Sequence, residues 1–431
     1  MEGRRLRRMV GLLHARLPEL DLDAVADPRA REGRWSLAQI LRATLVGLMA
    51  GCNGLWEAEQ LTATLSLSMR RQLRLPRRLA DTTARDALCQ LNLGELRSAL
   101  HRLVKAAWRR KAYSQRTLPI QVVALDGKVT ALPCLNQPFV QTKHREDGTP
   151  YGLMRTVTAA LVSAPGRPCI DAIPIPAHTN EMGHFQAAFA SVNDTYGRLF
   201  DVVTYDAGAL SEANGAAVVK ANKDYVFRLR GDQRTMYKLA EELLDPADAV
   251  ERTIDVLDRH TTVTRTLTLI AVDPSWSYGH GKGPDETVWT HARTFLRIDS
   301  EKIRDGVVME SETRMSVSSM APSRLTPKQW MHLVRCHWGV ENNNHHTFDT
   351  PFAEDTRPWI EADANGMLAV LMLRRIAYTL LSLFREVTLR SDANRATRWK
   401  DLLTWVRDAL VAAQPEHVTN LRVREVCAAA R

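Results

Sequence analysis

The sequence predicts an α/β protein with an all-helical front and a β-rich insertion. Three observations carry that prediction. Up to about residue 117, apolar residues recur at three- and four-residue steps, the period of helices that bury one face. At Leu118 the pattern changes to short continuous apolar runs separated by helical stretches, which reads as a sheet with crossover helices. Between about residues 231 and 325, short alternating runs rich in Thr, Val and Arg take over. The expected organisation is a basic helical domain over 1–117, an α/β domain over 118–385 with its insertion at about 231–325, and a helical tail over 386–431. A chain of 431 residues is too long for one ordinary core, in keeping with more than one domain.

In the front, "SLAQILRATLVGLMAG" opens on Ser36 as an N-cap and closes at Gly51. "DTTARDALCQLNLGELRSALHRLVKAAWRRKA" sets apolar residues on one face and arginines on the other. Between them, "MRRQLRLPRR" is dense in arginine. Such a run is usually a solvated face; in a helical domain it is also a candidate for contacting phosphate. Beyond Leu118, "LPIQVVALDGK" reads as a buried strand with Asp126 at its C-terminal tip. "YGLMRTVTAALVS" and "PCIDAIPIP" read as two more strands, and "NEMGHFQAAFASV" as a helix. "DVVTYDAGAL" repeats the first device, an apolar run ending in Asp206, and is followed by a helix ("SEANGAAVVKAN") and a strand ("DYVFRLR"). The order is β-β-β-α-β-α-β. Ligands of open α/β sheets gather at the carboxyl ends of strands. The two acids therefore share a site if the first and fourth strands are neighbours, an adjacency that periodicity leaves open.

The insertion comprises "TTVTRTLTLIAV", "TVWTHARTFLRI" and "TRMSVSSM", with "SYGHGKGPDE" as an exposed loop. "TPKQWMHLVRCHWGVENNNHHTFD" returns to helix, with Thr326 as N-cap and Pro327 at the first helical position. Trp330, Leu333, Val334, His337, Trp338 and Glu341 follow one stripe of it. A last helical stretch starts near Met367.

Basic residues outnumber acidic ones by 58 to 49, and residues 1–119 alone hold 22 against 11, so the whole surplus sits in the front. A basic front on a near-neutral body suits a polyanionic partner such as DNA, because neutralised phosphates release counterions. A solvated basic surface is the plainer reading. Six scattered cysteines with no CxxC pair argue against a zinc ribbon and a disulfide framework, and suit a reducing cytosol. The apolar run near the start is too brief for a signal segment. The segment 37–50 contains Arg42 and is shorter than the about 20 residues that span a bilayer. The expectation is a cytoplasmic protein without membrane contact.

Asp126, Asp206 and Glu341 stand out as acids whose chemistry would need a metal. Magnesium prefers oxygen ligands and keeps some waters, so one or two carboxylates per ion suffice. Two such ions, roughly 3.5–4 Å apart, activate a water or hydroxyl and stabilise the leaving oxygen of a phosphodiester. Without metal, three converging carboxylates repel one another and raise each other's pKa. Taken singly, a strand-end aspartate as readily caps the next helix. A zinc site of Cys336 with His345 and His346 is disfavoured, since no second ligand pair has suitable spacing.

Six fragments, in order, carry a resemblance: "DPRAREGRWSLAQILRATLVGLMAGCNGLWEAEQL", "ALDGKV", "HTNEM", "VVTYDAGA", "DYVFRLRGDQRTMY" and "LVRCHWGVENNNHHTFDTPFAED". Across about three-quarters of its length the chain resembles the H-repeat-associated (ISAs-type) DDE insertion-sequence transposase family. The resemblance implies an RNase H-like core, Mg²⁺ or Mn²⁺ as two ions, and DNA cleavage followed by strand transfer. The family's three acids fall on Asp126, Asp206 and Glu341, as catalytic residues and metal ligands. The wider group's pattern Tyr-x2-Arg-x3-Glu-x6-Lys falls on Val334, His337, Glu341 and Phe348, so His337 stands where an arginine would meet phosphate and the lysine has no counterpart.

DNA contacts are expected of Lys128, Arg335, His337, Trp338 and Asn342. A surface position for Arg335 and a core position for Trp338 are the plain alternatives. Asn180 and Glu181 are expected at the rim of the site, Asn180 equally as a helix cap. The implied partners are double-stranded DNA, as element ends and target, and a second copy in a homodimer or larger synaptic complex. The competing reading is a catalytically inactive or domesticated DNA-binding protein.

Overall fold

At the centre of the fold lies β1 (Val122–Leu132), whose Val122, Val123, Ala124 and Leu125 are all buried. An apolar run without alternation is what a strand covered on both faces requires. The computed structural model describes residues 3–30, 33–114, 118–133, 135–206, 208, 210–230, 234–273, 290–389 and 391–412. The expected loop "SYGHGKGPDE", Cys134, Cys427 and the tail beyond residue 412 lie outside the described residues.

On one side β1 pairs antiparallel with β3 (Pro150–Leu161), whose far edge carries β2 (Val140–His144) and β4 (Cys169–Pro174). On the other side it pairs in parallel with β5 (Val202–Tyr205), which in turn lies parallel to β6 (Asp224–Arg228). The helix α7 (Glu181–Tyr196) leads into β5, and α8 (Glu212–Lys220) links β5 to β6. This is the order read from the sequence with β2 added. Only Val140 of its five residues is buried, so β2 shows no alternation to read.

The β-rich stretch begins with a helix, α9 (Arg234–Leu243), and continues as β7 (Glu251–Val256), β8 (Thr261–Ala271), β9 (Thr294–Arg304) and β10 (Val307–Ser318). Though inserted in the sequence, it is continuous with the sheet in space. β10 pairs antiparallel with β6, giving the order β2-β3-β1-β5-β6-β10-β9-β8-β7. The near half of β10 buries Met315 and Val317, while residues 307–313 are exposed.

One face of the sheet is covered by α10 (Pro327–Cys336). Its Trp330, Met331, Leu333 and Cys336 pack with Val122, Ala124, Val162, Val202 and Val226. Thr326 caps α10 through a capping box with Gln329, with Pro327 just inside, as its sequence predicts. The chain then forms a π-helical turn at Val340–His345 and a short α11 (His346–Asp349).

The other face is packed by α7 and by helices from both ends of the chain. The front supplies α1–α6 (Gly3–Arg16, Leu37–Met49, Leu55–Thr64, Leu67–Leu73, Asp81–Cys89 and Leu93–Arg109). Ser36 caps α2 with Gln39 in a second capping box. The back supplies α12 (Ala364–Leu383), α13 (Asp392–Arg395) and α14 (Trp399–Ala412). α12 packs against α2, α5, α6 and β4, and α14 against α1 and α2. By length and composition Ala364–Thr388 could cross a membrane, but its apolar window is wholly buried in the fold. The front and back helices thus share one core.

An ion pair ties the front to the sheet. Arg97 of α6 holds Asp171 of β4 with two hydrogen bonds, 2.9 and 2.6 Å, and His101 Nε2 lies 3.2 Å from the same carboxylate. Burial would raise the Asp171 carboxyl, but His101 and Arg97 outweigh it and hold it below the usual range. Asp171 is fully buried, so Arg97→Met leaves a buried charge poorly compensated and costs about 3–5 kcal/mol. Urea denaturation measures this, and adding Asp171→Asn recovers part of the loss.

Candidate active site

Asp126 is the fifth residue of β1, and it lies mid-strand rather than at a tip. β1 continues to Leu132, and Asp126 pairs with Thr158 of β3. The neighbour that ends here is β5, at Tyr205, and Asp206 is the next residue. The ladder joins Val122 to Val202, Val123 to Val203 and Ala124 to Thr204. Continued by two residues, that register sets Asp126 beside Asp206.

Glu341 arrives from the opposite direction, on the π-helical turn after α10. His337, Glu341 and His345 are each four residues apart. In an α-helix of 3.6 residues per turn, every step of four overshoots a full turn. A π turn rotates less per residue, so passing from one to the other keeps the three on one side. Such turns recur at functional sites. The ligating atoms of Asp126, His337 and Glu341 lie within 4.8 Å of one another, and His345 Nδ1 is 3.3 Å from Asp126 Oδ2.

A fourth acid joins them. Asn180 caps α7 through Gly183, as one of its expected roles, and Glu181 opens the helix. A Cβ on Gly127 would fall 2.1 Å from the Glu181 carboxyl carbon, so the Glu181 carboxylate rests on bare backbone beside Asp126. From sequence Glu181 was expected only at the rim, because an acid in the first turn of a helix has an ordinary reason to be there.

The electrostatics follow from this crowding. Burial first, then Glu341, Asp206 and Glu181, push the Asp126 carboxyl up to about 8. Glu341 is raised by burial and Asp206, against Arg314 and Arg228. Glu181 is raised by burial, with Arg155 opposing and Asp206 adding. His337 is lowered to about 4 by burial, despite Asp206, and His345 to about 3 by burial, Arg375 and Lys128. Both imidazoles are therefore neutral at pH 7. His337 Nδ1 meets Thr204 Oγ1 at 3.0 Å, while its Nε2 is enclosed and has no hydrogen-bond partner among the described residues.

The residues expected to contact DNA have varied surroundings. Lys128 is buried, and its ammonium lies 3.2 Å from Asp355 and 3.9 Å from Glu354, with Asp349 also paired to it. It is turned inward, because two residues along a strand return to the same face as Asp126, and there the 349–355 segment closes over it. Arg335 pairs with Asp255 of β7 at 2.8 Å. Trp338 carries the Arg314 guanidinium 3.9 Å above its ring. His337 faces carboxylates, a poor setting for a phosphate. Asn342 is exposed beside Glu341. Cys336 is buried against the sheet, and no cysteine joins a metal-sized group among the described residues.

Could these residues hold a cation? Asp126 and Glu341 supply oxygen donors that repel each other without a counter-charge, and His337 supplies an enclosed nitrogen lacking a partner. That donor set fits a divalent metal.

No protein-family model matches the chain, and no curated protein matches it. Among solved structures the chain is similar to one described as a cryo-EM structure of the piggyBac transposase synaptic complex with hairpin DNA. The identity is 11%, the TM-score 0.42, and the match covers 96% of this chain and 80% of that one. A likeness of that size decides nothing about activity.

The raised Asp126 carboxyl has a measurable consequence. A carboxyl whose folded pKa is about 8, against 3.8 for the free group, stabilises the fold at low pH and loses that contribution as pH rises between those values. In chelator-treated protein, Asp126→Asn should match the wild type near pH 4 and exceed it by about 2–5 kcal/mol at pH 9. Thermal denaturation across pH checks this; equal stability at pH 9 would contradict the crowding described.

Proposed function

We propose that this chain is a DDE-type DNA transposase, binding the ends of an insertion sequence and carrying out metal-dependent DNA cleavage and strand transfer. The observation that carries the reading is that Asp126 on β1 and Glu341 after α10 bring their carboxylates within 4.8 Å of each other, with Asp206, just past the end of the parallel neighbour β5, near enough to raise both. Acids from points 80 and 135 residues apart gain nothing structurally from meeting, since Glu341 and Asp206 push the Asp126 carboxyl up and Asp206 pushes up that of Glu341. The central strand, with an antiparallel neighbour on one side and two parallel strands on the other, supports an RNase H-like core over 118–385.

In this reading Asp126, Asp206 and Glu341 hold Mg²⁺ or Mn²⁺, as two ions. Metal bound there would activate the attacking oxygen and stabilise the leaving one. His345 orients Asp126, and Arg228, whose guanidinium is 3.7 Å from Asp206, limits the repulsion within the cluster. Asn342, exposed beside Glu341, is the expected DNA contact left facing outward. The basic front, 1–117, would bind the element ends. Arg42, Arg70, Arg71 and Arg74 line one cleft between α2 and α4 there, and Arg42 within it is paired to Asp23. Two ends must be processed together, so a dimer or larger synaptic complex is expected.

The test uses the full chain with a duplex carrying its element's terminal repeat. Mg²⁺ or Mn²⁺ should support nicking at the repeat. Asp126→Ala should lower the nicking rate by at least about 10³-fold while binding in a mobility-shift assay stays within about threefold. Equal nicking by the variant would overturn the assignment of Asp126, and binding without any nicking by the wild type would favour a non-catalytic DNA-binding protein.

A further inference from the structure

We propose that the cation held by Asp126 and Glu341 also takes Nε2 of His337, making a mixed nitrogen and oxygen site that prefers Mn²⁺ to Mg²⁺. The inference deepens the metal-dependent reading above and rests on it. Sequence alone gives His337 a different task, that of an arginine reaching for phosphate.

Three observations point to a ligand. The ring is fixed: its Nδ1 is 3.0 Å from Thr204 Oγ1, and Thr204 is itself fully buried on β5 two residues before Asp206. With Nδ1–H donated to that hydroxyl, the lone pair of Nε2 is free. Metal-ligating histidines are oriented in the same way, through a partner on the other ring nitrogen. Second, Nε2 is shut off from solvent yet has no hydrogen-bond partner among the described residues. A buried polar atom left so is costly and calls for an occupant, water or ion.

Third, a ring nitrogen of His337 and carboxylate oxygens of Asp126 and Glu341 lie within 4.8 Å of one another, and with Nδ1 turned to Thr204, Nε2 is the nitrogen left to take an ion. Donors bound at about 2.1 Å to one ion sit no more than about 4.2 Å apart, so small side-chain movements let a single ion reach all three. The neighbouring histidine has another place: His345 lies against Asp126 at 3.3 Å through Nδ1.

The chemistry of the donors sets the preference. Mg²⁺ favours oxygen alone and strict octahedral geometry. Imidazole suits the first-row transition metals, of which Mn²⁺ is the one closest to Mg²⁺ in its taste for carboxylate. One nitrogen among oxygens therefore shifts the site from Mg²⁺ toward Mn²⁺.

Pulsed electron paramagnetic resonance of Mn²⁺ added to the chelator-stripped full chain tests the proposal without reference to activity. The expected spectrum shows one bound Mn²⁺ coupled directly to a nitrogen, and ¹⁵N-histidine labelling changes that coupling. Competing Mg²⁺ should displace it only at about tenfold or greater excess. His337→Ala should abolish the coupling and the excess, while His144→Ala, at an exposed position on β2, keeps both. Thr204→Val, which frees the ring without removing it, should weaken Mn²⁺ binding and serves if the alanine variant does not fold. Bound Mn²⁺ with oxygen ligands only, or a nitrogen coupling that survives in His337→Ala, overturns the proposal and leaves the metal-dependent reading standing. No Mn²⁺ binding at all overturns both.

Discussion

The parallel pairing of β1 with β5 is the constraint on which the rest of the molecule depends. Val122, Val123 and Ala124 lie against Val202, Val203 and Thr204, a register that, continued two residues past the ladder, brings Asp126 toward Asp206, whose charge acts on it. A slip of one residue would turn one of the two to the opposite face of the sheet. The burial of β1 on both faces fixes that register, because every side chain from Val122 to Leu125 has an apolar partner on one face or the other. Helix α10 packs on one of these faces and releases the Glu341 turn at its end, and α7 on the other releases Glu181 at its start.

Crowded acids are tolerable only where the surroundings are rigid and the charge is answered. Beneath the site, Lys128 of β1 sits among Asp349, Glu354 and Asp355, while Arg375 of α12 pairs with the fully buried Glu354 and lies 4.0 Å over the ring of Phe348. Buried charges persist when each has a partner, and stripping one partner away leaves the other expensively exposed to a low dielectric. The chain from His337 to Asp355 is thereby held at both ends, by the apolar packing of Trp330 and Leu333 and by this ionic network. That helps to explain why α12, otherwise an apolar helix, carries two arginines in its middle: Arg375 reaches Glu354, and Arg374 reaches the Arg357 carbonyl.

Much of the fold was legible in the residues. Strands β1, β3, β4, β5 and β6 announced themselves as apolar runs, and the caps at Ser36, Asn180 and Thr326 marked their helices. β2 was not legible, since four of its five residues face solvent or lie half-exposed. Nor was the continuity of β10 with β6, because a pairing between strands far apart in sequence leaves no trace in the period of either. Among the candidate site residues, Asp126, Asp206 and Glu341 were singled out by their motifs, with Asp126 expected at a strand tip and found mid-strand. Lys128 could not be known to point inward, because its partners Asp349, Glu354 and Asp355 come from more than 200 residues away.

The amino-acid order alone settled most of the helices and the apolar strands, since period, caps and turns are local properties, but not β2, α9 or the mid-strand place of Asp126. It also confined the basic surplus to the front of the chain. Which of the acids meet, and at what cost in repulsion, was settled only by the tertiary fold. Register between strands, the hand-over from α10 to a π turn, and the bare backbone of Gly127 against Glu181 are relations between distant segments. They arise when the burial of each segment is satisfied by the others.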